Sequence, residues 1–151
     1  MDSVEKLQAY KDQGKLFHGS LRAGIDMLIP QRATDVDTSR GFNIDTAIFA
    51  TPLPAVAVAF ACVNTKIISS KERAEYGARW GVYYIEDRVE LRIPRYFERY
   101  LDQFSGFVYV LERKTDETSW QVKLYEPTKP IDTIKVSIND FAALGGLVVW
   151  R

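Results

Sequence analysis

The stretch Thr46-Ala47-Ile48-Phe49-Ala50-Thr51-Pro52-Leu53-Pro54-Ala55-Val56-Ala57-Val58-Ala59-Phe60-Ala61 decides how this chain is read. Its first five residues form a short apolar run of strand length. Thr51 and Pro52 then resemble a helix start. A hydroxyl can cap free N–H groups, and proline loses nothing in the first turn, where its missing donor would be unpaired anyway. Pro54 still falls in that turn. Residues 55–61 alternate in size and would also pass for a strand, but the start signal and the alanine content favour helix. The whole uncharged run, residues 46–64, is interrupted by two prolines, and its apolar part falls short of the roughly 20 residues a membrane-spanning helix needs. A buried strand followed by a buried helix is therefore expected, and no membrane partner.

Outward from this pair the chain alternates short elements. A helix capped by Asp2 or Ser3 runs to Gly14, and a strand covers residues 15–20. Residues 21–30 are a turn and a short apolar segment. Residues 31–43 are polar and aperiodic, which predicts a long surface loop; such loops inside a compact domain are often functional. After a polar stretch over residues 66–79, strands are expected at 80–85 and 89–93 around a turn at Asp87 and Arg88. Pro94 opens a short helix over 95–104. Strands follow at 106–111, 120–124 and 131–136, then a helical turn over 139–144 and a last strand at 148–150. Strands dominate and the helices are short and separate, so the expected class is α+β.

With 151 residues, 46% hydrophobic and 13% aromatic, the chain fits one domain, residues 1–151, that buries roughly 68–70% of its unfolded surface. Twenty basic residues balance twenty acidic ones. The zero total argues against a globally basic nucleic-acid binder and leaves local patches open. One cysteine excludes an internal disulfide, and with one histidine it leaves no set of soft metal ligands; no metal is expected. Residues 1–6 lack the basic and apolar pattern of a secretory signal, so a cytoplasmic location is the default expectation. Phosphate loops, dinucleotide glycine motifs and zinc-protease motifs are missing.

What remains is Leu16-Phe17-His18-Gly19-Ser20 at the end of a strand. Read alone it is a His-Gly turn. Read with Ile48-Phe49-Ala50, with the helix bearing Ala57 and Phe60, and with Gly106 to Leu111 followed by Trp120-Gln121-Val122, it resembles the ADP-ribosyltransferase superfamily, on the poly(ADP-ribose) polymerase and diphtheria-toxin side. The resemblance spans residues 15–136. It implies a split β-sandwich with short flanking helices around an NAD cleft, and transfer of ADP-ribose from NAD, as co-substrate, to an acceptor: protein, nucleic acid or small molecule. A toxin or defence effector is one role such a free-standing domain takes.

Carried over by position, the resemblance makes His18 a partner of the adenosine-side ribose. Gly19 would hold the nicotinamide carboxamide through its backbone, with Ser20 beside it. Phe60 would be a stacking platform and Ala57 stands where the helix often has serine. Apart from the carried-over positions, Arg32 and Arg40 in the polar loop are candidates to meet the NAD diphosphate. The second strand has Ile48 where a tyrosine often starts the motif, followed by Phe49. Gln121 aligns with the last catalytic position, usually glutamate; Glu126 and Glu117 are nearby carboxylates. A glutamine can bond the ribose hydroxyl but brings no charge, which implies either a slower enzyme or a catalytically silent NAD- or ADP-ribose-binding module of the same fold. The related RNA 2′-phosphotransferases rely on an arginine pattern that this chain does not show.

Overall fold

A computed structural model of the chain describes residues 1–32, 46–117 and 119–151. Helix α1 (Ser3–Asp12) starts where Asp2 accepts the amide N–H of Glu5 at 2.8 Å, and the chain leaves it through Gly14 at φ +77°, a left-handed conformation that suits glycine. Strand β1 (Leu16–Ser20) follows, then β2 (Gln31–Arg32), β3 (Thr46–Ala50) and α2 (Pro54–Cys62). A 3-10 turn (Thr65–Ile67) and α3 (Ser70–Tyr76) lead to the hairpin β4 (Gly81–Ile85) and β5 (Arg88–Ile93). A 3-10 helix (Arg95–Gln103), β6 (Ser105–Leu111), β7 (Val122–Leu124), β8 (Asp132–Ser137), α4 (Ile138–Ala143) and β9 (Leu147–Trp150) complete the order. The class is α+β.

Four details differ from the sequence reading. Helix α2 begins at Pro54 with Leu53 as its N-cap; Thr51 is held extended, because its backbone exchanges hydrogen bonds with Phe17 at 2.8 and 2.9 Å. The β4–β5 turn is made by Glu86 and Asp87, at φ 52° and 63°. That double left-handed turn matches the twist of a two-residue hairpin, and it places Arg88 in β5. Helix α3 forms within the polar stretch, with the Ser69 hydroxyl accepting the Glu72 N–H at 3.2 Å. It buries no residue, so it carries no apolar period to reveal it. The expected loop over 31–43 opens with two residues of strand, Gln31 pairing with Ala47; the rest of it, Arg40 included, lies outside the described residues.

The strands form three three-stranded sheets, ordered β1-β6-β8, β2-β3-β7 and β4-β5-β9. Only the β5–β9 pairing is parallel among those described. Alternation divides the first sheet cleanly. Phe17, Val108, Val110, Ile134 and Val136 face the main core with α2, while Leu16, Tyr109 and Leu111 face a second cluster that includes Ile48, Ala50 and Val122.

Eight of the nine residues of α2 are buried, which its uniform apolarity demands. The helix can approach the first sheet closely because two glycines lie beneath it. A Cβ on Gly106 would stand 1.9 Å from the Ala61 carbonyl oxygen, and one on Gly19 would stand 2.1 Å from the Ala57 carbonyl oxygen. These contacts are with backbone, which cannot rotate aside. Gly106→Ala is therefore expected to destabilise the protein by about 1–3 kcal/mol, lowering the melting temperature by several degrees. A thermal melt indistinguishable from wild type would show that the helix has room to move off the sheet.

Candidate functional site

His18, Phe49 and Gln121 lie near the junction where β1, β3, β7 and the start of α2 meet. Thr51 ties it together. Beyond its backbone bonds to Phe17, its hydroxyl donates to the Trp120 carbonyl at 2.6 Å and accepts from the Leu53 N–H at 3.0 Å. One buried residue thus links β1, through its backbone, to the segment before β7 and to the entry of α2, through its hydroxyl.

His18, next to Phe17 on β1, is half-buried on the opposite face. Its Nδ1 lies 2.8 Å from the Phe49 carbonyl oxygen. A carbonyl only accepts, so Nδ1 carries the proton and Nε2 of the neutral ring is left with a lone pair. Burial lowers the His18 pKa below its ordinary value, partly offset by the Phe49 carbonyl, which favours the charged form. The ring of Tyr109 lies 6.5 Å from that of His18, centroid to centroid. Tyr109 is fully buried; its hydroxyl donates to the Arg22 carbonyl and accepts from the Ile25 N–H at 3.2 Å. It pins the segment that leaves β1 against the sheet beside His18. Ser20 completes the turn by accepting the Arg22 N–H at 3.1 Å.

Gly19 has a structural reason to be glycine, namely the seat of α2. Its backbone pairs with Val108 of β6 in register. Phe60, half-buried on α2, makes an aromatic pair with Trp80 at 5.8 Å. Ala57 is buried against Gly19. Ile48 points into the second cluster, and Phe49, its neighbour on β3, is partly buried and stands opposite Lys123. Gln121 lies one residue before β7 and is 8% exposed. Since Val122 pairs with Ala50, Gln121 sits beside the Thr51 junction. Glu117 and Glu126 are both exposed.

The structure thus joins His18 to Phe49 directly and brings Gln121 to the same strand junction. It sets Phe60 in a separate aromatic contact. Thr51, Trp80 and Tyr109 were not singled out as site residues by the sequence reading; the mark of Tyr109 is its place opposite His18 in the β1–β6 register. A cavity of about 240 Å³ opens elsewhere, at the start of α2, between Lys11, Leu53, Pro54, Tyr84, Asp87 and Leu144. None of the predicted site residues lines it. Among the described residues no three His, Cys, Asp or Glu side chains group as metal ligands, and no helix is long and apolar enough to cross a membrane. The lone cysteine, Cys62, is buried on α2, and burial pushes its thiol up to about 12, far from the reactive thiolate range.

Compared with known proteins, the chain matches no protein-family profile, no curated protein and no solved structure.

The depressed His18 pKa sets a sign for acid stability. The unfolded chain binds the proton first as pH falls through the ordinary value near 6.5. Stability from this residue is complete above that pH and declines below it, down to the folded pKa. Proton NMR is expected to find the His18 ring neutral at pH 7 and titrating below 6.5. His18→Gln is expected to flatten the acid side of the stability profile between those limits. A ring titrating above 6.5 would contradict this assignment.

Proposed function

We propose that the chain is an NAD-dependent mono-ADP-ribosyltransferase, built as an ADP-ribosyltransferase-like split β-sandwich around an NAD cleft. The observation that carries the reading is the His18–Phe49 hydrogen bond. It leaves a neutral imidazole at a strand end with its Nε2 lone pair uncommitted to Phe49, and such a nitrogen accepts from a ribose hydroxyl. The donor and acceptor chemistry of that position fits NAD as co-substrate.

In this reading His18 orients the adenosine-side ribose, the Gly19 backbone meets the carboxamide, and Phe60 with Trp80 supplies the apolar wall for the nicotinamide ring. Gln121, beside the Thr51 junction, bonds the nicotinamide-ribose hydroxyl through its amide. NAD supplies the electrophile, the anomeric carbon, and nicotinamide departs as the acceptor bonds to it. The protein contributes positioning and oriented dipoles. A neutral hydrogen bond contributes about 0.5–1.5 kcal/mol where one to a charged group contributes about 1.5–3. Glutamine at this position therefore costs about a several-fold to tenfold slower step relative to glutamate.

That same residue favours a second reading, a silent module that binds NAD or ADP-ribose without turnover. Calorimetry with NAD beside a nicotinamide-release assay separates the two. Transferase activity predicts NAD binding, slow nicotinamide release, loss of both in His18→Ala, and an increase of about several-fold in release for Gln121→Glu. Binding without release at high protein concentration supports the module. Neither binding nor release would reject both readings.

A further inference from the structure

The third sheet has one face that the proposed transferase site does not use. On β4-β5-β9, Val82, Val89, Leu91 and Ile93 point into the main core. The alternate positions point outward and meet in register: Tyr83 stands opposite Glu90, which stands opposite Leu147, and Gly81 stands opposite Arg92, which stands opposite Val149. Ile85 and Leu147 on this face are 38% and 44% exposed.

The polar groups on this face are organised. Glu90 is buried, and its carboxylate accepts from Arg88 Nη2 at 3.0 Å and from Arg92 Nε and Nη2 at 3.2 and 3.0 Å. The Arg92 guanidinium lies over the Tyr83 ring, 4.3 Å from its centroid. Arg151 Nη2 donates to the Tyr83 hydroxyl at 3.3 Å. Two guanidinium groups, Arg88 and Arg92, are thus gathered around the Glu90 carboxylate, and a third, Arg151, reaches the same face through the Tyr83 hydroxyl. The Arg88 and Arg92 side chains keep 57% and 32% of their exposure while the Glu90 side chain keeps 9%. The anion is hidden and the cations are presented.

We propose that this sheet face binds single-stranded nucleic acid. Guanidinium forks match phosphate oxygens in geometry and are weakly hydrated. Bases stack on aromatic rings and on guanidinium planes, and both kinds of plane are held here. Along β5, Arg88 and Arg92 are about 13 Å apart at 3.3 Å per residue, and three strands are about 10 Å across. The result is a flat, half-apolar platform, and single strands rather than duplexes expose base faces to such a platform. The acidic turn Glu86–Asp87 bounds it at one end, so the strand runs from Arg88 toward Arg92 and Arg151. The surface is independent of NAD turnover.

The test is fluorescence anisotropy with a labelled 12-nucleotide single-stranded RNA, compared with a duplex of the same sequence and with heparin. The full chain is expected to bind the single strand in preference to both competitors, with affinity falling as salt rises. Arg88→Gln, Arg92→Gln and Arg151→Gln each weaken binding, each lost phosphate contact reducing the log–log salt slope by about 0.7. Tyr83→Leu weakens it without changing that slope. Glu90→Gln tightens it, because the hidden anion is removed while both guanidiniums stay; a purely structural role for the cluster predicts no such gain. Thermal melts check each variant, and Arg151→Gln, outside the Glu90 cluster, remains readable if Arg92→Gln unfolds. No binding of single-stranded RNA at about 100 µM protein, the weak end of non-specific affinity, overturns the proposal. So does equal binding of heparin that Tyr83→Leu leaves unchanged.

Discussion

Everything in this fold depends on how closely α2 lies on the first sheet. The helix is apolar all round, so it has to be surrounded, and the sheet beneath it has to admit its backbone. Gly19 and Gly106, on adjacent strands, open that space; any side chain there would meet a helix carbonyl. Once α2 is seated, Phe17, Val108 and Val110 close against it, and the next turn of chain, through Leu53 and Thr51, is held at the end of β1. Gly19 therefore serves packing whatever else its backbone does. A glycine in a His-Gly-Ser motif need not be read as ligand contact alone.

The seat also creates the junction. With α2 fixed, Thr51 meets Phe17, Trp120 and Leu53 at once, and a hydroxyl that bridges a strand carbonyl and a helix-entry amide satisfies two buried groups that would otherwise cost about 1–3 kcal/mol each. Phe49, two residues before Thr51, is thereby brought to His18. Hydrogen bonding to the Phe49 carbonyl selects the Nδ1–H tautomer, and burial keeps the ring neutral. The chemistry of His18 thus follows from helix packing two steps away.

Much of the architecture was legible because its signals are local. The Asp2 cap, Gly14, the apolar run at 46–50 and the strand at 106–111 each carry a period or a stop signal that needs no tertiary information. The misplaced start of α2 shows the limit. Thr51-Pro52 is a good cap by local rules, but Thr51 is claimed by Phe17, a partner distant in sequence, and the helix has to wait for Pro54. The β4–β5 turn moved by one residue because two left-handed residues fit hairpin twist better than sequence composition suggests. Of the site, the His18–Phe49 pairing was foreshadowed by the order of motifs, and the roles of Tyr109 and Trp80 were not, since a buried aromatic on an apolar strand looks the same whether it fills a core or braces a site. The arginines of β5 escaped notice for another reason. A total charge of zero hides a face on which two guanidiniums share one buried carboxylate.

Helix packing delivers His18 to Phe49 as a neutral Nδ1–H imidazole, and we propose that its Nε2 meets NAD. Long-range nitrogen–proton NMR of the ring, recorded with and without NAD, tests it most directly. A protonated Nδ1, a bare Nε2, and an Nε2 resonance that moves when NAD is added are expected. A protonated Nε2 in the free protein, or a ring whose nitrogens ignore NAD, would contradict it.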